Sequence, residues 1–206
     1  MTWITTLDDL HRHYGTPGKP ATVKVTPHLT KAHATCLARA RFCILTTVGP
    51  EGTDASPRGD EGPVVRILDP QTLALPDWKG NDRIDSLRNI VRDGRVSLIF
   101  LITGSNTAIR INGTARLTAD EPLRHSFARD GFTRDGALPR TVIVITIAEV
   151  YSQCARALIR SALWTGGDQS HGLPSVGAML REITDGQIDG AAYDADWPGR
   201  AAKTMW

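Results

Sequence analysis

Short apolar segments separated by turn residues dominate the middle of the sequence and limit the folds that the chain can adopt. The three most apolar segments are residues 42–48, 95–102 and 141–151. Residues 107–117 alternate, so Ile109 and Ile111 are expected to face a core, and Arg110 and Asn112 to face outward. About seven such segments, joined mostly by short turns, predict an antiparallel barrel with added helices, an α+β fold that is mainly β. Strict alternation of strands with helices is missing, which disfavours a doubly wound fold.

Helices are predicted where the apolar spacing changes to three and four residues. They cover residues 30–40, 82–93, 152–163 and, more weakly marked, 175–183. In the second helix Ile84, Leu87 and Val91 share one face, which is expected to be buried. The resulting organisation is an extended N-terminal arm (1–27), a barrel domain (28–184) and an irregular C-terminal arm (185–206).

The composition narrows the range of functions. The 206 residues carry a formal net charge of +2 and 6% of them are aromatic, which argues against a dedicated nucleic-acid-binding protein. The apolar runs are far shorter than the ~20 residues of a membrane-spanning helix, so no membrane association is predicted. Three cysteines without a C-x-x-C spacing, and an N-terminus without an apolar stretch, predict a reduced, cytoplasmic protein. The histidines show no zinc-site spacing, so no metal is expected.

A first polar segment, residues 56–62, contains groups that suit a phosphate. It carries Ser56, Arg58 and Gly59 where a strand is predicted to end. Arginine offers a planar pair of donors for a phosphate, and glycine allows the backbone to approach a ligand closely. The alternative interpretation is a polar surface turn.

A second polar segment lies directly before the helix predicted to begin at Asp82. Its candidate residues are Lys79, Gly80, Asn81 and Arg83. Unpaired N–H groups at a helix N-terminus favour anions, and Lys79 and Arg83 add two positive charges. Ser86 and Asn89 follow one and two turns later. An ordinary capped helix is the alternative.

A third candidate is formed by Arg156, Arg160 and Trp164, which are spaced four residues apart. On one helix this spacing places them along one face, where two guanidinium groups and an indole could hold an anionic aromatic ligand. A solvated helix face that ends in a partly buried Trp is the alternative.

Several runs of sequence are informative through their order and spacing. They are residues 56–60, 65–69, 75–77, 80–83, 86–90, 110–115, 151–164 and 173–180. Taken together they resemble the pyridoxamine 5′-phosphate oxidase-like flavoproteins, and in particular a bacterial branch whose substrate is unassigned. The resemblance extends over residues 30–185 or so, and the order of the runs carries it more than any single motif.

The resemblance implies a split β-barrel with antiparallel, Greek-key-like strands that dimerises and binds FMN at the subunit interface. In such proteins basic and hydroxyl side chains hold the FMN phosphate, while late residues approach the flavin edge from the partner subunit. The implied cofactor-binding residues are Ser56, Arg58, Gly59, Lys79, Gly80, Asn81, Arg83, Ser86, Asn89, Arg110, Arg160 and Trp164. Of these, Arg160 and Trp164 are the ones expected at the flavin edge.

The chain departs from the family pattern in two places. Pyridoxamine phosphate oxidases hold their substrate with an arginine–histidine motif near the C-terminus, and here residues 195–200 read ADWPGR instead. Pyridoxamine phosphate is therefore not the expected substrate. Ala108 stands where relatives carry a threonine, which removes one expected flavin contact.

Three functions follow as hypotheses. The first is an FMN-dependent oxidoreductase, a homodimer that transfers electrons between a donor and an unidentified small molecule. The second is a non-catalytic flavin or haem binding or sensing protein on the same barrel, and a deazaflavin is an alternative ligand. The third, an RNA-binding or polyanion-binding barrel, is disfavoured by the low net charge.

Overall fold

Seven antiparallel strands form one sheet in the computed structural model, which describes residues 1–128 and 137–204. The strands are β1 Phe42–Gly49, β2 Gly52–Gly59, β3 Arg66–Asp69, β4 Thr72–Asp77, β5 Arg95–Leu101, β6 Ala108–Thr118 and β7 Thr141–Gln153. Their order across the sheet is β2-β1-β5-β6-β7-β4-β3, and every neighbouring pair is antiparallel. The predicted α+β class, mainly β, is confirmed.

The sheet is rolled, so that strands far apart in its order meet in space. Four strands separate β2 from β4, which in a flat sheet would place them about 24 Å apart. Instead, Nη1 of Arg58 in β2 donates a hydrogen bond of 2.5 Å to Oδ1 of Asp77 in β4. This contact closes the seam between the two strands.

One apolar core fills the inside of the rolled sheet. Its most buried members are Cys43, Leu45, Leu73, Leu75, Leu98, Phe100, Ile109, Ile111, Ile143 and Ile145. The inward orientation predicted for Ile109 and Ile111 is confirmed, and Arg110 and Asn112 are half-buried on the outer face. Each large apolar side chain that leaves water in this way stabilises the fold by about 1.5–3 kcal/mol.

Helices flank the sheet at its ends and at both termini. In the described residues they are α1 Leu7–His11, α2 Lys19–Val23, α3 Lys31–Leu37, α4 Asp85–Arg92, α5 Glu121–His125, α6 Arg156–Arg160, α7 Val176–Ile183 and α8 Gly190–Thr204. The predicted helices at residues 30–40 and 175–183 are confirmed, and each follows a capping side chain, Thr30 or Ser175. None of these helices combines the length and apolar character needed to cross a bilayer.

The termini are more helical than the sequence pattern indicates. The N-terminal arm contains α1 and α2, and the C-terminal arm predicted to be irregular contains α8. The backbones of α7 and α8 touch, since a Cβ on Gly177 would lie 2.0 Å from the Gly190 carbonyl oxygen. Asp194 of α8 also accepts a 2.9 Å hydrogen bond from the Gly177 N–H. Contacts between glycine backbones leave no apolar periodicity, which explains why the sequence did not reveal α8.

The helix predicted for residues 152–163 is wrong over most of its length. The strand β7 continues to Gln153, and α6 covers only Arg156–Arg160. Ala162 then adopts a left-handed φ of 50°, which ends the helical path. Trp164 lies beyond this break, and its Nε1 donates a 2.7 Å hydrogen bond to the Ser105 carbonyl oxygen. Arg156, Arg160 and Trp164 therefore do not share one helical face.

The helix α4 begins later than predicted, and its buried face agrees with the predicted one only at Leu87. It starts at Asp85 because Ile84 has a left-handed φ of 52°. Ile84 and Val91 are 45% and 75% exposed, whereas the polar Ser86 and Asn89 are buried. Asn89 packs α4 against β1, where its Nδ2 donates a 3.1 Å hydrogen bond to Thr47 Oγ1. The buried face of α4 thus combines the hydrogen-bonded Ser86 and Asn89 with the apolar Ile90, and of the three residues predicted to be buried only Leu87 packs against the core.

The three cysteines differ in environment, which gives a test of the core. Burial raises the pKa of the Cys43 thiol to about 12, because the thiolate would be desolvated. Cys154 is exposed and Cys36 is half-buried. We expect a thiol reagent at pH 8 to modify Cys154 rapidly in the native protein and to spare Cys43 until the protein unfolds. Peptide mapping of the labelled sites checks this, and rapid native labelling of Cys43 would contradict the burial of β1.

Candidate functional site

A groove of about 920 Å³ opens along the seam between β2 and β4. Its walls are β2 on one side and the end of β4 with residues 78–84 on the other, and the start of α4 closes one end. Arg140 and Thr141, at the start of β7, complete the lining. The volume lies within the range of about 300–1,000 Å³ that is typical of small-molecule sites.

Eight of the twelve predicted cofactor-binding residues line this groove. They are Ser56, Arg58, Gly59, Lys79, Gly80, Asn81, Arg83 and Ser86. The first and second polar segments are separated by some 20 residues of sequence, and the rolling of the sheet brings them to the same seam. This proximity was expected from the resemblance, and spacing alone could not reveal it.

The strand β2 presents polar side chains to the groove at every second position. It continues to Gly59 rather than ending near Ser56, so residues 56–59 of the first segment are strand and residues 60–62 belong to the connection toward β3. Asp54, Ser56 and Arg58 therefore share one face, and the intervening residues lie on the outer face. Pro57 is tolerated because β2 is an edge strand of the sheet.

The other four predicted residues lie away from the groove of their own chain. Asn89 is buried against Thr47 and holds α4 in place. Arg110 lies on the outer face of β6, with its Cζ 5.5 Å from the centroid of the Tyr151 ring. Arg160 and Trp164 follow β7, and the indole is engaged with the backbone of Ser105. A single chain thus does not bring these residues to the groove.

Arg58 is the most constrained cation of the groove. Its side chain is 18% exposed and that of its partner Asp77 is 14% exposed, so the ion pair is largely shielded from water. The Nε of Arg58 is buried and has no hydrogen-bond partner among the described residues, and the same holds for Thr141 Oγ1. An unsatisfied buried polar atom costs about 1–3 kcal/mol. Both atoms belong to residues of the groove, where a ligand could satisfy them.

The remaining cations of the groove are exposed. Arg83 pairs with Asp85, which raises the pKa of the guanidinium, and Arg140 pairs with Asp82 over 2.6 Å. Exposed pairs of this kind are worth roughly 0–1 kcal/mol, so an incoming anion can displace them at small cost. Lys79 forms no ion pair with any residue that the structure describes.

Carboxylates outnumber cations in the described lining of the groove. The described lining has six of them, Asp54, Asp60, Glu61, Asp77, Asp82 and Asp85, against the four cations Arg58, Lys79, Arg83 and Arg140. Asp54 accepts a hydrogen bond from Ser86, which fixes the first turn of α4 against β2. The alternation of β2 could have predicted from the sequence that Asp54 faces the groove together with Ser56 and Arg58. No sequence pattern could have placed Arg140 and Thr141 there, because their position depends on the pairing of β7 with β4.

The loop that carries Lys79 and Arg83 is conformationally strained. Asp82 and Ile84 have left-handed φ values of 58° and 52°, and a β-branched residue rarely adopts this conformation. Such strain is usual at ligand sites, where the surrounding structure imposes it. Apolar side chains of Val64, Leu75 and Ile84 also line the groove. The groove thus combines charged side chains of both signs with apolar side chains.

The part of the chain that resembles a known protein family contains the groove. The sequence profile of the family "Pyridoxamine 5′-phosphate oxidase" matches residues 29–154, which is more than half of the chain and includes every described residue of the groove. No curated protein sequence matches the chain.

Solved structures with a similar fold align over about three fifths of the chain. HupZ from Group A Streptococcus has 16% identity and a TM-score of 0.48, with 60% of this chain and 93% of HupZ covered. A candidate pyridoxamine 5′-phosphate oxidase from Lactobacillus delbrueckii has 24% identity and a TM-score of 0.47, over 61% and 95% of the two chains. An FMN-binding protein from Syntrophomonas wolfei has 16% identity and a TM-score of 0.41, over 59% and 88%.

Proposed function

The chain belongs to the pyridoxamine 5′-phosphate oxidase family, and from this membership we propose that it is an FMN-dependent oxidoreductase whose flavin binds in the groove between β2 and β4. The family has the split-barrel fold and commonly binds FMN. The observation that carries the proposal is the state of Arg58, a shielded guanidinium with an unsatisfied Nε at the groove. We propose that the substrate is an unidentified small molecule other than pyridoxamine phosphate.

The residues of the groove fit a phosphate ester attached to a planar ring. Arg58, Lys79, Asn81, Arg83 and Ser86 would hold the phosphate through hydrogen bonds worth about 1.5–3 kcal/mol each where a charge takes part. The apolar side chains of the lining would contact the ring. When bound, FMN supplies the redox chemistry. The chain itself binds and orients the cofactor and limits access of water to it.

Charge balance supports a homodimer. Six carboxylates already oppose four cations in the described lining, and an FMN phosphate would add further negative charge. A second copy of the chain can supply the missing positive charge, and Arg160 and Trp164 are the residues we propose for this role. The outer-face residues Pro57 and Gly59 also line the groove, so a copy seated on that face would reach the cofactor.

A non-catalytic flavin-binding protein is the second candidate function. It is favoured by one feature, that residues 195–200 lack the arginine–histidine motif with which pyridoxamine phosphate oxidases hold their substrate. The described lining of the groove offers haem no axial histidine or cysteine ligand. Turnover of NADH or NADPH with a quinone or dye acceptor distinguishes the two candidates, because the oxidoreductase reoxidises repeatedly and a storage protein does not.

Removing Arg83 is expected to weaken FMN binding without unfolding the protein. The Arg83→Ala variant loses an exposed guanidinium whose pair with Asp85 adds little stability. Loss of one charge-assisted hydrogen bond to the phosphate corresponds to an increase of roughly tenfold or more in Kd. Quenching of FMN fluorescence on titration with protein measures this change. The control is Arg88→Ala, an exposed arginine of α4 outside the described lining, and equal FMN affinity of both variants would remove Arg83 from the site.

A further inference from the structure

On the outer face of the sheet, two cationic side chains, Lys24 and Arg110, lie against the ring of one tyrosine, Tyr151. Ile99 of β5 is paired with Arg110 of β6, and Arg110 is paired with Tyr151 of β7. The N-terminal segment extends this row past β7, where Nζ of Lys24 donates a 2.7 Å hydrogen bond to the Ser152 carbonyl oxygen. Nζ of Lys24 and Cζ of Arg110 each lie 5.5 Å from the centroid of the Tyr151 ring.

Among the residues that the structure describes, these two cations have no carboxylate partner, unlike the shielded Arg58 of the groove, which pairs with Asp77. Neither Lys24 nor Arg110 forms an ion pair with a described residue, although both are half-buried. Glu149, the next residue of β7 on this face, instead accepts a 2.9 Å hydrogen bond from Asn112. Two partly desolvated positive charges around one ring repel each other, and a bound anion would offset this repulsion.

We propose that Lys24, Arg110 and Tyr151 form a second binding site, which takes a small aromatic carboxylate. The guanidinium of Arg110 matches a carboxylate through two parallel hydrogen bonds, and Lys24 adds a second positive charge. Tyr151 on one side of Arg110 and Ile99 on the other offer ring and apolar surface for the aromatic part of the ligand. Inorganic phosphate would use the charges but not this surface.

The assignment of this ligand as the substrate rests on the proposed function. The row runs Pro57, Ile44, Ile99, Arg110 and Tyr151 from β2 to β7, so four strand spacings along the rolled sheet separate Tyr151 from Pro57. Neither Arg110 nor Tyr151 lines the groove of its own chain, so a ligand held by them does not meet a flavin bound in that groove. In a two-fold dimer with its axis along the strands, β7 of one copy faces β2 of its partner. The second site then adjoins the partner's groove.

Calorimetric titration with benzoate, and separately with inorganic phosphate, tests the site on the full chain. Benzoate is expected to bind with a Kd of about 1 mM or tighter. Arg110→Met and Lys24→Met should each weaken benzoate binding at least tenfold. The matched control is Arg116→Met, an exposed arginine on the same strand, which should bind benzoate as the unmodified protein does. Tyr151→Leu should weaken benzoate binding but leave phosphate binding unchanged.

Two results would overturn the inference. If the folded, unmodified protein does not bind benzoate, the two cations merely stack on Tyr151. If the phosphate binding that is lost in Arg110→Met is as tight as the benzoate binding, the ligand is not aromatic. Retention of FMN, measured on the same samples, separates this inference from the proposed function. Retained FMN without benzoate binding contradicts only the second site, and benzoate binding without retained FMN supports the site while contradicting the flavin proposal.

Discussion

Replacing Arg58 with methionine is expected to lower the free energy of unfolding by about 3 kcal/mol and to abolish stable FMN binding. The variant removes the contact that closes the seam between β2 and β4 and leaves the Asp77 carboxylate shielded without its partner. A buried pair that loses one member typically costs 3–5 kcal/mol, and the residual exposure of both side chains places the value near the lower end. The same change removes the donor whose Nε is unsatisfied at the groove.

Urea unfolding and FMN titration of Arg58→Met measure the two effects. Arg92→Met is the control, since Arg92 pairs with Glu51 while their side chains are 47% and 72% exposed. Its loss should change stability by less than about 1 kcal/mol. Equal stability of the two variants would mean that the seam is held by other contacts.

Substituting alanine for Gly113 is expected to destabilise the fold by about 3 kcal/mol or more. Gly113 lies at the bulge between β6 and β7, where the register of the pair shifts. A Cβ at this position would lie 2.1 Å from the Thr146 carbonyl oxygen and 3.3 Å from the Ile147 Cα. Both neighbours are backbone atoms, so the clash can be relieved only by displacing β7 from β6.

Thermal and urea unfolding of Gly113→Ala check this prediction. The control is Gly62→Ala, because a Cβ on Gly62 would have no heavy atom within 4 Å. That variant should be neutral, or slightly more stable through the reduced freedom of the unfolded chain. Native-like stability of Gly113→Ala would contradict the close approach of β6 and β7.

The strands could be predicted from the sequence because their burial follows a local rule. Alternation in β6 correctly oriented Ile109 and Ile111, and the long apolar run correctly located β7. Neither case requires knowledge of a distant contact. The same rule applied to β2 would have placed Asp54, Ser56 and Arg58 on one face, but the glycine and proline of that strand suggested a turn.

Other features depend on contacts that local patterns do not encode. Hydrogen bonds from Ser86 to Asp54 and from Asn89 to Thr47 bury two polar residues of α4, and the apolar spacing, which pointed to Ile84 and Val91, could not indicate this. The pair between Arg58 and Asp77 exists only because the whole sheet is rolled. The grouping of eight predicted cofactor residues in one groove followed from the resemblance to a family. From residue spacing alone, the two polar segments could equally have been a surface turn and an ordinary capped helix rather than parts of a phosphate site.

The most direct test of the flavin site is the visible absorption spectrum of the purified protein after incubation with FMN and desalting. We expect a retained flavin spectrum with one FMN per chain, and loss of that spectrum in Arg58→Met. Circular dichroism on the same samples reports whether each protein is folded. A folded, unmodified protein that emerges colourless from the column would contradict the assignment of the groove between β2 and β4 as a flavin site.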